Sequence, residues 1–177
     1  MPYSLKYLAP ILLCALTLGC ATRPENIGRA PPVDEVNNEK GLALKGFDPV
    51  AYFAEDKPRE GSAAITSEWR GATYRFTSQE HRDEFDRHPD QYIPQFGGYC
   101  AFAVSQGATA DGDPLQWAIV DQKLYVNNNA FAAKLWNQGK KGHIQTGNSN
   151  WPLIPKHSLV AEPAVPAVGK AREIDAR

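Results

Sequence analysis

Cys100 and His81 are the two side chains whose type and setting point to chemistry. Cys100 follows Gly97-Gly98-Tyr99. A helix opening at the glycine pair places Cys100 in its first turn, where free amides and the positive dipole end favour thiolate. Such a sulfur is a nucleophile or a soft metal ligand. His81 falls one turn into a helix that starts after Ser78. If that helix packs on the glycine-rich segment, imidazole and sulfur come together. A Cys–His pair activates a thiol or supplies two ligands of an open metal site. A plainer reading stands beside each. Free cysteine is among the most buried residue types and packs as a small hydrophobe, and a histidine in a first turn is often solvent-facing or capping. Tyr99, beside Cys100, is taken with Tyr74 and Trp117 as the aromatic wall of a pocket. The same three, with Tyr52, Tyr125, Trp136 and Trp151, also read as core.

Other candidates carry less. Asp48 before Pro49 reads as a turn cap. His88 before Pro89 suits the negative end of a helix dipole. Ser105, five residues after Cys100, is off its helical face, and His143 and His157 fall in loop and tail. The chain has no GxSxG, HExxH, P-loop or GxGxxG pattern, which leaves hydrolase, zincin and nucleotide-binding readings without support. Its formal charge is −1 with no long run of either sign, so nothing points to nucleic acid.

The first residues set the compartment. Lys6 supplies a positive start, and Tyr7–Leu18 carries no charge. That stretch has the length of a signal-peptide core and is too short to span a bilayer, which takes about 20 apolar residues. Leu16-Thr17-Leu18-Gly19-Cys20 resembles the lipobox of bacterial lipoproteins, in which the cysteine is acylated and becomes the new N-terminus. The resemblance implies a membrane partner through a lipid anchor at Cys20, on the periplasmic face of the envelope. Ala21, not Asp, favours the outer membrane by the same resemblance. Cys14 leaves with the signal and Cys20 is consumed by lipid. Cys100 is then a lone thiol in an oxidising compartment.

Four stretches follow: a signal over 1–19, a tether over 20–40, one domain over 41–157, and an Ala-, Pro- and charge-rich tail over 158–177 that reads as disordered. Within the domain, Ser62–Trp69 and the alternating Ala72–Thr77 form a hairpin about Gly71. Ser78 caps a helix over Gln79–Arg87, which stops before Pro89. Leu115–Val120 and Lys123–Val126 form a second hairpin about Asp121-Gln122. Asn127-Asn128 cap a helix over Asn129–Asn137, carrying Phe131, Leu135 and Trp136. Gly139–Asn150 reads as a polar loop. The sum is a small α+β domain, an antiparallel sheet with short helices packed on it.

Several segments then resemble one family. They are Gly46-Phe47-Asp48-Pro49-Val50-Ala51-Tyr52-Phe53, Gly71-Ala72-Thr73-Tyr74-Arg75-Phe76-Thr77-Ser78, Phe85 with His88-Pro89-Asp90-Gln91-Tyr92, and Gly97-Gly98-Tyr99-Cys100-Ala101. Together they resemble the YHS domain, and more closely its exported single-domain bacterial members, over about Leu42 to Trp151. The wider group includes metal-handling domains with a cysteine after Asp-Pro-Val and two more, four apart, after Tyr-x-Phe. Here those positions hold Ala51, Thr77 and His81. Only His81 is ligand-capable, so a thiolate cage of the family type cannot form. In close relatives the position of Cys100 is selenocysteine, which implies redox or nucleophilic chemistry at this sulfur.

The expectation is a lipid-anchored periplasmic module in which Cys100 and His81 hold a transition metal, copper or else zinc. A thiol-based redox enzyme is the first alternative, and a structural or partner-binding module with an inert Cys100 the second. Exposure decides among them. A pocket shared by Cys100, His81 and an aromatic favours the first two, and an enclosed sulfur the third.

Overall fold

The computed structural model describes residues 32–157. The stretch expected to be a signal, Cys14, Cys20 and the expected tail over 158–177 lie outside the described residues. Ordered structure begins earlier than the composition suggests. The 20–40 stretch reads as a tether because it is polar, yet Val33 pairs with Lys156 and Val36 is buried in the core. Asn38–Glu39 forms β1 and Leu42–Ala43 forms β2. The chain from 33 onward therefore belongs to the domain, held by backbone pairing and by the side chains of Val33 and Val36.

A short helix, α1 (Ala51–Ala54), precedes the first long hairpin, β3 (Ser62–Trp69) and β4 (Ala72–Phe76). Arg70 and Gly71 make its turn in left-handed conformations. Alternation along β4 buries Ala72, Tyr74 and Phe76 on one face. The order of this sheet is β1-β2-β4-β3. The β2–β4 pair is parallel, so the sheet is mixed and not wholly antiparallel.

Ser78 accepts the amide of His81 and opens α2 (Gln79–Arg87), as its cap position predicts. A single turn, α3 (Pro89–Tyr92), follows with proline at its start. Phe85 of α2 packs on Tyr74 and Phe76 of β4, with ring centroids 4.9 and 5.1 Å apart. This layer, with Val36, Val50 and Tyr92, is the first core.

The glycine pair does not open a helix. Phe96, Gly97 and Gly98 all have positive φ and make a left-handed turn. A Cβ at Gly97 would lie 2.0 Å from the carbonyl oxygen of Glu35, so the N-terminal segment presses on this turn. Cys100 comes after it, immediately before α4 (Ala101–Ser105). The second hairpin is β5 (Asp113–Val120) and β6 (Lys123–Asn127), a separate two-stranded sheet.

Two helices close the chain. Asn129, not Asn127 or Asn128, caps α5 (Ala130–Gln138) by accepting the amide of Ala132. Trp136 on this helix is fully buried and Phe131 is exposed. Lys140–Asn150, expected as a loop, is a helix, α6. It lacks a strong apolar stripe, and tertiary contacts hold it. Gly147 lies flat against the Phe96 ring, and Asn150 donates to the carbonyls of Val104 and Ser105 at the end of α4. Phe96, Tyr99, Val104, Tyr125 and Trp136 form the second core. A smaller third, with Tyr52, Leu124 and Val126, includes residues of both hairpin halves of the chain. The result is one small α+β domain.

Candidate functional site

The chemistry expected at Cys100 and His81 divides between two places. Cys100 is 1% exposed. Its amide donates to the carbonyl of Ala110, and its backbone bridges Val126 of β6. Its Sγ donates to Oδ1 of Asn127 at 3.7 Å, and the same oxygen accepts the amide of Phe102 at 3.0 Å. Asn127 is itself buried. The thiol is thus packed at the start of α4 and ties that helix to the end of β6. No described cavity is lined by Cys100, and no hydrogen bond joins it to His81. Cys100 stands just before α4, a helix of only five residues, and not inside a first turn opened by the glycine pair.

His81 pairs instead with Asp48. Nδ1 of His81 lies 2.7 Å from Oδ2 of Asp48, whose side chain is 0% exposed while that of His81 is 18% exposed. The Asp48 carboxylate takes five donors. Oδ1 accepts the amides of Val50 (2.9 Å) and Ala51 (3.3 Å) at the start of α1. Oδ2 accepts the Thr77 amide (2.8 Å), the Thr77 hydroxyl (2.7 Å) and His81. Asp48 thereby knots α1, the end of β4 and the first turn of α2. A buried charge is tolerated only when so compensated.

The acceptors fix the imidazole tautomer. Thr77 spends its hydroxyl proton on Asp48, so its oxygen can only accept from Nδ1, 3.2 Å away. Both oxygens near Nδ1 are acceptors, which places the proton there. In the neutral ring Nε2 then keeps its lone pair. His81 lines an open cleft of about 480 Å³ with Val50, Phe53, Glu80, Glu84 and Tyr92. The Tyr92 hydroxyl donates to Glu84 at 3.1 Å, and Glu84 also meets Arg87 at 2.5 Å. Burial first, then the bond to Glu84, raises the Tyr92 phenol above its ordinary range. Hydrogen bonds to its own amide and to Ser78 hold the Glu80 carboxyl below its usual range.

The three aromatics expected in one pocket are separate. Tyr74 is in the first core against Phe85, Tyr99 is in the second beside Trp151, and Trp117 stacks edge-on against Tyr52 at 5.2 Å in the third. Each packs; they share no cavity.

No family model, no curated protein and no solved structure matches this chain.

Ala51, Thr77 and His81, the positions that the YHS resemblance gives to metal thiolates, do meet, and they meet on Asp48. Ala51 offers only its amide and Thr77 only donors already spent. Among the described residues no three His, Cys, Asp or Glu side chains group to hold a metal ion. The donor set therefore does not fit the family's soft-metal cage. Asp48 is the functional residue that sequence reasoning undervalued. Its adjacency to Pro49 signals a turn cap, which accounts for Oδ1 alone. Its other partners lie 29 and 33 residues away.

Proposed function

We propose that this protein is a lipid-anchored binding module of the bacterial envelope, of YHS type, that acts through the His81 cleft with Cys100 as a structural thiol. The observation that carries it is the Asp48–His81 contact at 2.7 Å. A fully buried carboxylate that aims an imidazole at open space is an arrangement for presenting one basic nitrogen. The same cleft is lined by the carboxylate of Glu80, by Glu84 already engaged with Tyr92 and Arg87, and by the apolar carbons of Val50 and Phe53. Acceptors beside an apolar wall suit a ligand bearing an ammonium group on a short hydrocarbon stem. The envelope address rests on the Leu16–Cys20 segment, and the YHS assignment on the segments quoted above.

Titrating n-butylammonium into isotope-labelled protein tests the cleft. Saturable shifts are expected at His81, Glu84 and Tyr92, lost in His81→Ala and kept in Cys100→Ala. Shifts that survive without His81, or that need Cys100, overturn the reading. Incorporation of labelled palmitate that Cys20→Ser abolishes tests the anchor, and a chain that takes up none has no anchor there.

A further inference from the structure

On the sheet edge formed by β1 and β2, three cations converge on one groove. Lys40, Lys45 and Arg75 line an open groove of about 440 Å³, with Thr73 and a single carboxylate, Glu39, beside them. Among the described residues none of the three cations forms an ion pair, although Arg70, Arg82 and Arg87 all do. The groove is therefore unbalanced, not a solvated mosaic of alternating charges.

Its backbone is also held in a costly shape. Lys40, Leu44 and Lys45 have φ of 55°, 47° and 51°, in the left-handed region that non-glycine residues avoid. Each such residue is strained and persists where the surroundings dictate it. Here pairing does so. The Thr73 amide donates to Gly41 at 2.8 Å, and Gly61 to Gly46 at 2.8 Å, fixing both turns on the hairpin. Gly46 leaves room for the Arg75 stem, since a Cβ there would meet Arg75 Cδ at 3.4 Å. Two turns and one strand thus bring an arginine and two lysines to one groove.

We propose that this groove binds a phosphate group. Arginine offers a planar fork of donors and the lysines two mobile point charges, the combination that suits a multiply charged tetrahedral oxyanion. The Thr73 hydroxyl on the groove wall is spent on the Glu68 carboxylate, so the charge of the three side chains, not a hydroxyl, carries the site. The chemistry is shared by an anionic lipid headgroup and by a soluble phosphate ester. The site is distinct from the His81 cleft and does not depend on its function.

Acetylation of the lysine amines by acetic anhydride, read by peptide mass, tests the site on the full chain in non-ionic detergent. A bound phosphate holds both ammonium groups protonated and slows their reaction. At about 10 mM inorganic phosphate, enough to saturate a millimolar site, Lys40 and Lys45 are expected to react several-fold more slowly than in chloride of equal ionic strength. Exposed Lys123 is expected to be unchanged. Arg75→Gln should erase the protection at both lysines. If that variant does not fold, Lys45→Glu should erase it at Lys40. Equal rates of Lys40 and Lys45 in phosphate and chloride overturn the proposal, as does protection that survives these substitutions. Two further arms identify the source. Protection in phosphatidylglycerol vesicles but not in phosphatidylcholine vesicles assigns a lipid headgroup. Protection by glycerol phosphate with none in either vesicle assigns a soluble ester.

Discussion

Asp48 and His81, 33 residues apart in the chain, meet at 2.7 Å with the carboxylate fully enclosed and the imidazole at the surface. The pair is an anchor on one side and a presented base on the other. The anchor half governs stability. Asp48→Ala strands the Thr77 amide and hydroxyl, the His81 Nδ1 proton and two amides of α1. The expected loss is about 3–5 kcal/mol in denaturant unfolding. Asp48→Asn should also be costly, because its amide group turns donors toward donors. His81→Ala leaves the carboxylate four partners and should cost only about 1–2 kcal/mol. Equal losses for Asp48→Ala and His81→Ala would show that the carboxylate is not the hub.

The same contact shows what the sequence could convey. Local signals were legible: the alternation of β4, the Ser78 cap and the turn at Asp121-Gln122 depend on neighbours within a few residues. The upper half of the knot, Asp48 as a cap beside Pro49, was legible for that reason, though as a turn and not as the start of α1. The lower half needed β4 and α2 to pack, which no spacing announces. Lys140–Asn150 failed as a loop likewise, since its helix depends on Phe96 and the end of α4. Residues 33–40 looked like tether because their composition is polar, whereas their backbone pairs with Pro155, Gly97 and the sheet.

Cys100 should behave as a structural thiol. Its Sγ is enclosed and bonded to Asn127. Alkylation by iodoacetamide should therefore follow opening of the domain, rising steeply with urea in parallel with unfolding. A rate that is fast in water and insensitive to urea would place the sulfur at the surface and return the function to it. Cys100→Ala keeps the fold and should cost about 1–2 kcal/mol, since it removes little volume and one weak hydrogen bond.

Gly97 should tolerate no side chain. Its φ is +61°, and a Cβ would lie 2.0 Å from the Glu35 carbonyl oxygen. Gly97→Ala must displace the N-terminal segment, breaking the Asn37–Gly97 backbone bond of 2.7 Å. A loss of about 2 kcal/mol or more is expected in thermal or denaturant melts. Faster amide exchange at Val36 and Asn37 would locate the damage. Unchanged stability would mean that this segment does not dock on the turn.

Alkali should destabilise the domain, and the two most deeply buried phenols should contribute most. Burial drives the Tyr52 and Tyr74 phenols well above their ordinary value of 10.0; charges of Asp113 and Asp48 add to the effect at Tyr52, while Arg70 opposes it at Tyr74. The folded state thus keeps protons that the unfolded chain releases above about pH 10. Stability falls with rising pH wherever the folded state binds more protons. The contribution of these phenols is fully present below about pH 10 and is lost progressively above it. Tyr52→Phe should flatten the alkaline decline, at a cost near neutrality of about 1 kcal/mol for its 3.0 Å bond to the Pro114 carbonyl. Tyr74→Phe should flatten it with a smaller cost, because no hydrogen bond of its hydroxyl is found among the described residues. The measurement is urea unfolding at a series of pH values from neutral to strongly alkaline. A wild-type slope that neither substitution reduces would assign the alkaline transition to other groups.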